Sequence, residues 1–142
     1  SSNISNNIFI FHTKIDMYII IYLQKSAQMN LDTIYFDYIK NKTKLYETRV
    51  YDKKRQSIKL LDIIEFKDRG SKRSFKVKII ELSYFTSFEK AIKPVGIKKV
   101  LPNAKSLKDG IKIYEAFSHG EGGTYKSQSK KYGVLRMKFE VL

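Results

Sequence analysis

The chain has 142 residues, 42% of them hydrophobic and 13% aromatic, which is enough apolar volume for the core of one domain. Its 28 Lys and Arg against 14 Asp and Glu leave a net charge of +14, a surplus that points to a polyanionic partner, nucleic acid before an anionic membrane surface, over a merely solvated Lys-rich exterior. There is no cysteine, so disulfides, thiolate catalysis and Cys-ligated zinc or iron–sulfur sites are excluded.

Residues Ser1 to Asn7 are polar and without periodicity, a terminal tail, and Ile8 to Phe11 can form a short added strand, so 1–16 is set apart from a domain over 17–142. The apolar run Ile8 to Leu23 is interrupted by His12, Lys14 and Asp16 and falls short of the roughly 18 to 20 residues that a bilayer span needs. No basic segment followed by a small-residue cleavage site reads as a signal peptide. The expectation is an intracellular protein, cytoplasmic or nuclear, with no membrane partner. Met17 to Leu23 is a β-branched and aromatic run that suits a strand buried on both faces, the central strand of the sheet.

Asn30 can cap a helix along which Leu31, Ile34, Tyr35, Tyr38 and Ile39 recur at helical spacing, with basic residues at the exit. The segment Lys44-Leu45-Tyr46-Glu47-Thr48-Arg49 follows. Side chains alternate along a strand, so Glu47 and Arg49 share a face, and Lys44, in the turn leading in, can reach over the same opening. The charged turn Asp52 to Ser57 leads to a strand over Asp62 to Phe66 and another over Ser74 to Leu82, joined as a hairpin. Thr86 with Glu89 forms a capping box before a short helix Ser87 to Lys93, and Ser106 with Asp109 another before a helix whose Leu107, Ile111, Tyr114 and Phe117 share a face. His119 to Lys131 reads as a long flexible polar loop, without the spacing of a phosphate-cradling loop. The last strand, Gly133 to Leu142, alternates Leu135, Met137, Phe139 and Val141 inward with Arg136, Lys138 and Glu140 outward. His12 and His119 stand apart with no acidic residue at ligand spacing, so neither a metal nor a cofactor is expected. The fold class is α+β, about six strands and three or so helices around a small closed or partly closed sheet.

Phe36 to Arg49, followed by Asp62-Ile63-Ile64-Glu65-Phe66, resembles the ASCH domain, whose signature is a helix ending in G-x-K-x-x-E-x-R and then a G-D-x-I-x-F strand. Ser87-Phe88-Glu89, Leu101-Pro102 ahead of a helix carrying Tyr114, and Gly133-Val134-Leu135 in the closing strand extend the likeness over about Met17 to Leu142. Lys42 and Leu61 stand where the two motifs have Gly. The resemblance implies a PUA-like mixed β-barrel with a cleft beside the motif, and nucleic-acid binding, chiefly of RNA. It also brings an alternative, because some family members are amidohydrolases that deacetylate N4-acetylcytidine and another cleaves RNA. Those hydrolases use a Lys, a Thr three residues later and a Glu further on; Lys44 matches the first, but Glu47 occupies the Thr position.

The function expected from this is a single-domain module binding RNA or another single-stranded nucleic acid, or a modified nucleoside. Lys44, Glu47 and Arg49 would line the cleft, Tyr46 and Tyr51 would stack on bases, and Lys126, Lys130 and Lys131 would embrace the backbone. The competing reading makes Tyr46 a core aromatic, the late lysines solvated, and Glu47 with Arg49 a structural ion pair. The enzymatic alternative makes Lys44 and Glu47 catalytic, with a tyrosine such as Tyr114 sharing the acid and base work. A basic Lys44 near neutrality needs its pKa of about 10.4 brought down by roughly 3, at a cost of about 4 kcal/mol, and Glu47 nearby would pull the other way.

Overall fold

The computed structural model describes Lys14 and residues 27–142; the tail, the added strand and the central strand expected before Ala27 lie outside the described residues. Five strands form one mixed sheet: β1 (Ala27–Leu31), β2 (Tyr46–Val50), β3 (Ile63–Asp68), β4 (Ser74–Phe85) and β5 (Val134–Val141), in the order β1-β3-β4-β5-β2. β1 runs parallel to β3, and the other three pairings are antiparallel. The predicted hairpin is β3–β4. β1 and β2 remain as edges, so among the described residues the sheet has five strands rather than about six and curls without closing its ladder.

Within residues 27–142 five helices accompany it: α1 (Thr33–Lys40), α2 (Phe88–Ile92), α3 (Ile97–Val100), α4 (Leu107–Ala116) and α5 (Tyr125–Tyr132). Helix α1 starts later than its apolar periodicity suggests, because Leu31 is taken by the parallel ladder opposite Asp68. Asp32 then becomes the N-cap, and the buried positions are Phe36 and Ile39, while Ile34 faces solvent. Ser87 rather than Thr86 caps α2, accepting from the Lys90 N–H, and Ser106 caps α4 through the Asp109 N–H. The largest correction is α5. Its eight residues are too polar to show an amphipathic stripe, yet Thr124 and Ser127 cap each other's backbone, and the buried Tyr125 and Ser129 fix it to the domain.

Two apolar clusters lie on the two faces of the sheet. Phe66, Ile79, Leu135 and Met137 fill the concave side with Phe36 and Ile39 of α1. On the other side Tyr46, Val50 and Val134 meet α2 to α5, where Phe88 is stacked between Tyr114 and Tyr125 at centroid distances of 5.3 and 6.0 Å. The outward face of β5 is therefore only partly wet: Arg136 lies over the Tyr46 and Phe85 rings and donates to the Ala91 carbonyl at 2.8 Å.

Candidate nucleic-acid interface

The site begins with a gap. β1 and β2 are the two edges of the curled sheet, and Arg49 of β2 reaches across to donate from Nη2 to the Asn30 carbonyl of β1 at 3.0 Å. In the β2–β5 register, Glu47 pairs with Met137 and Arg49 with Leu135, which puts both side chains on the concave face, as the two-residue spacing predicts. Thr48, opposite Arg136, takes the other face; its hydroxyl is buried with no hydrogen-bond partner among the described residues.

Glu47 is the hub. Its Oε1 accepts from the Tyr114 hydroxyl at 2.7 Å and from the Thr48 N–H at 2.9 Å, with Lys44 Nζ at 3.3 Å; its Oε2 has Arg49 Nη2 at 3.4 Å. Burial alone would raise this carboxyl, but the Lys44 and Arg49 charges and the two Oε1 hydrogen bonds hold it below the usual carboxylate range. The Lys44 ammonium is 1% exposed and touches three acceptors: the Val100 carbonyl, the Tyr114 hydroxyl at 3.0 Å and Glu47. Burial lowers its pKa, with Glu47 opposing, so desolvation outweighs the neighbouring charge that the sequence puts first. The Tyr114 hydroxyl, donor to Glu47 and acceptor from Lys44, is pushed well up by burial.

Above this base opens a cleft of about 290 Å³. Glu47 and Arg49 form its floor, both under 10% exposed. Tyr35, Tyr114, Phe117 and Tyr125 supply aromatic walls, while Asp32 and Arg69, each more than half exposed and paired at 3.0 Å, stand at its mouth. The lining thus combines flat apolar surfaces with one carboxylate, Glu47, and one guanidinium, Arg49, at the bottom.

The predicted site residues separate into three groups. Lys44, Glu47, Arg49 and Tyr114 come together, but Lys44 lies one layer behind the floor, its ammonium 5.8 Å from the centre of the Tyr35 ring. Tyr46 is buried in the second cluster and Tyr51 packs on Tyr84 at 4.8 Å; neither lines the cleft. Lys126, Lys130 and Lys131 are exposed, on a helix rather than a loop, and that helix begins with the cleft residue Tyr125. The sequence missed Tyr35, Phe117, Tyr125 and Arg69 as lining groups. Phe117 carried a signal, lying three residues after Tyr114 on the same predicted face; Arg69, in a turn, carried none.

A second buried polar cluster also escaped the sequence. His119 Nδ1 accepts from the Glu121 N–H at 3.1 Å, so the proton sits on Nε2 and is donated to Asp52 Oδ2 at 2.7 Å, where Arg55 also donates at 2.6 Å. Both His119 nitrogens are occupied, and the pair acts as a clamp fixing the Ser118 end of the cleft wall to the turn after β2. The partners are 67 residues apart, beyond the reach of any local pattern.

The model of the ASCH domain matches residues 29–142. The hypothetical protein PH0355, known from a crystal structure, is similar at 36% identity with a TM-score of 0.69, over 83% of this chain and 100% of that one. Protein PF0455 from Pyrococcus furiosus, solved by NMR in solution, is similar at 34% identity with a TM-score of 0.63, over 83% of this chain and 98% of the other. No curated protein matches.

Proposed function

The chain belongs to the ASCH domain family, and from that premise we propose that it binds single-stranded nucleic acid, RNA foremost, by taking one unstacked base into the cleft between β1 and β2. The observation that carries this reading is the combination of aromatic walls with a desolvated Glu47–Arg49 floor. A cleft of about 290 Å³ is at the small end for ligand pockets, suited to one base rather than a folded segment. Base–aromatic stacking contributes about 1–3 kcal/mol per base, and single-stranded RNA is the form whose bases are free to leave the stack. Glu47 Oε2 can accept from a base N–H, and the Arg49 donors not spent on Asn30 and Glu47 can meet a ring nitrogen or carbonyl. Lys44 and Tyr114 act as positioning residues: they occupy Oε1, so that only Oε2 faces the ligand. The exposed lysines of α5 would then add contacts to the flanking phosphates.

The second reading, hydrolysis of a modified nucleoside, is favoured by one feature, the contact chain Lys44–Tyr114–Glu47, which could move a proton to or from a bound base. Against it, Lys44 does not line the cleft and no hydroxyl nucleophile stands at position 47. The test is binding of a fluorescent single-stranded RNA by the wild type and by Arg49→Ala, with N4-acetylcytidine incubated in parallel and product followed by chromatography. Retained RNA with no deacetylated product, and at least a tenfold loss of affinity in Arg49→Ala, is the expected result. Equal binding by the variant would remove the cleft from the interface, and product that disappears in Glu47→Gln would make the protein an enzyme.

A further inference from the structure

Resting on the reading of the cleft as a base pocket, we propose that Arg69 is a phosphate-binding residue at its mouth, so that the site recognises a nucleotide unit rather than a bare nucleoside.

The turn that carries Arg69 is held with unusual thoroughness. Asp68, at the end of β3 and 4% exposed, accepts from Thr33 Oγ1 at 2.6 Å, Ser71 Oγ at 2.7 Å, the Gly70 N–H at 2.9 Å and Arg73 Nη2 at 2.9 Å. The Arg69 N–H itself donates to the Leu31 carbonyl at 2.9 Å. Gly70 is needed for this approach, since a Cβ there would lie 2.5 Å from Thr33 Oγ1. The backbone of Arg69 is thereby tied on one side to β1 and on the other to the first residue of α1.

The side chain is not tied in the same way. Arg73 is bound by both Asp68 and Asp37, whereas the Arg69 side chain has one partner among the described residues, Asp32 at 3.0 Å, and both members of that pair are more than half exposed. An exposed pair of this kind contributes little and exchanges readily. A phosphate offers the same guanidinium two oxygens for a two-pronged contact, and a phosphomonoester carries more charge than a carboxylate. The floor cannot serve that purpose, because Glu47 is buried there 3.4 Å from Arg49 and would repel a phosphate, whereas the exposed Asp32 beside Arg69 can turn away into solvent. The cleft therefore runs from a dry end that matches a base edge to a solvent-facing cation that matches the attached phosphate.

Calorimetric titration of the full chain with the four ribonucleosides and with their 5′- and 3′-monophosphates tests this, using the wild type, Arg69→Ala and Arg49→Ala. The expected result is that at least one monophosphate binds the wild type about tenfold more tightly than its nucleoside, and that Arg69→Ala brings the ratio near one with nucleoside binding still measurable. A ratio near one in the wild type, or a preference that survives in Arg69→Ala, with nucleoside binding intact, overturns the role of Arg69 and leaves the base pocket standing. Absence of binding by every nucleoside and monophosphate, together with unchanged RNA binding in Arg49→Ala, overturns the pocket and this inference with it.

Discussion

Glu47 holds the buried charges of the domain together and, on the proposed reading, also meets the ligand. It is held ionised because two cations and two hydrogen bonds converge on it inside the domain, and most of those contacts fall on Oε1. Replacing it with Gln leaves Lys44 and Arg49 buried without their counterion, so Glu47→Gln should lose about 3–5 kcal/mol at neutral pH, measured by urea unfolding. The pH dependence has a definite sign. Glu47 and Asp68 both titrate below their ordinary values of 4.5 and 3.8, Asp68 through the Thr33, Ser71, Gly70 and Arg73 hydrogen bonds. Each contributes stability that is complete above its ordinary value and is lost as pH falls towards the depressed one. The melting temperature of the wild type should therefore hold from pH 7 to about 5 and drop steeply below about 4.5, while Glu47→Gln, already less stable, should follow a flatter acid limb. Equal slopes in the two proteins would mean that Glu47 is not the charged hub.

At the scale of elements, the two departures from the family motifs acquire a physical meaning. Lys42 and Leu61, which stand at the motif glycines, are the non-glycine residues with positive φ among the described residues, at 67° and 71°. Lys42 follows the C-cap Asn41 of α1; its N–H bonds to the Ile39 carbonyl and that of Thr43 to the Tyr38 carbonyl, the double closure in which a left-handed glycine commonly ends a helix. Leu61 takes the same conformation just before β3, with 61% of its surface exposed, so little packing offsets the strain. Left-handed backbone costs a side-chain-bearing residue about 1–2 kcal/mol, part of which glycine returns through its freer unfolded chain. Lys42→Gly and Leu61→Gly should each stabilise by about 0.5–1 kcal/mol, and together additively, as read from thermal unfolding. Gly110 in α4 illustrates the opposite case. An Ala would gain about 1 kcal/mol of helix propensity, but its Cβ would fall 2.1 Å from Ile97 Cδ1. Gly110→Ala should accordingly destabilise by about 1–3 kcal/mol, and much of that loss should vanish when Ile97 is also shortened to Ala, a coupling that a double-mutant cycle resolves.

For the whole molecule the governing quantity is charge. On the proposed reading, a net charge of +14 would draw a polyanion from a distance, whereas the cleft would select what is held. These two contributions respond differently to salt. Binding of single-stranded RNA should weaken with a log–log slope of about −0.7 for each phosphate contacted. The triple variant Lys126→Ala, Lys130→Ala, Lys131→Ala should make that slope shallower, while Arg49→Ala should lower the affinity by a similar factor at every salt concentration and leave the slope nearly unchanged. Filter binding at four or five ionic strengths distinguishes the two outcomes. A slope that is unchanged in the lysine variant would place the backbone contacts elsewhere on the surface.

Periodicity and local chemistry made much of this protein legible from its residues. The β3–β4 hairpin, the alternation of β5, the caps of α2 and α4 to within a residue, and the shared face of Glu47 and Arg49 all follow from interactions between near neighbours in the chain. The ASCH motif added the order of the pieces. Helix α5 stayed hidden because a polar segment held by two caps and two buried residues has no apolar stripe. Tertiary structure alone decided the depth at which each charge lies. Lys44 is sealed behind the floor, Arg69 waits at the mouth, and His119 meets Asp52 from 67 residues away. Burial and long-range pairing depend on how the curled sheet brings β1 towards β2, and no pattern of near neighbours encodes that approach.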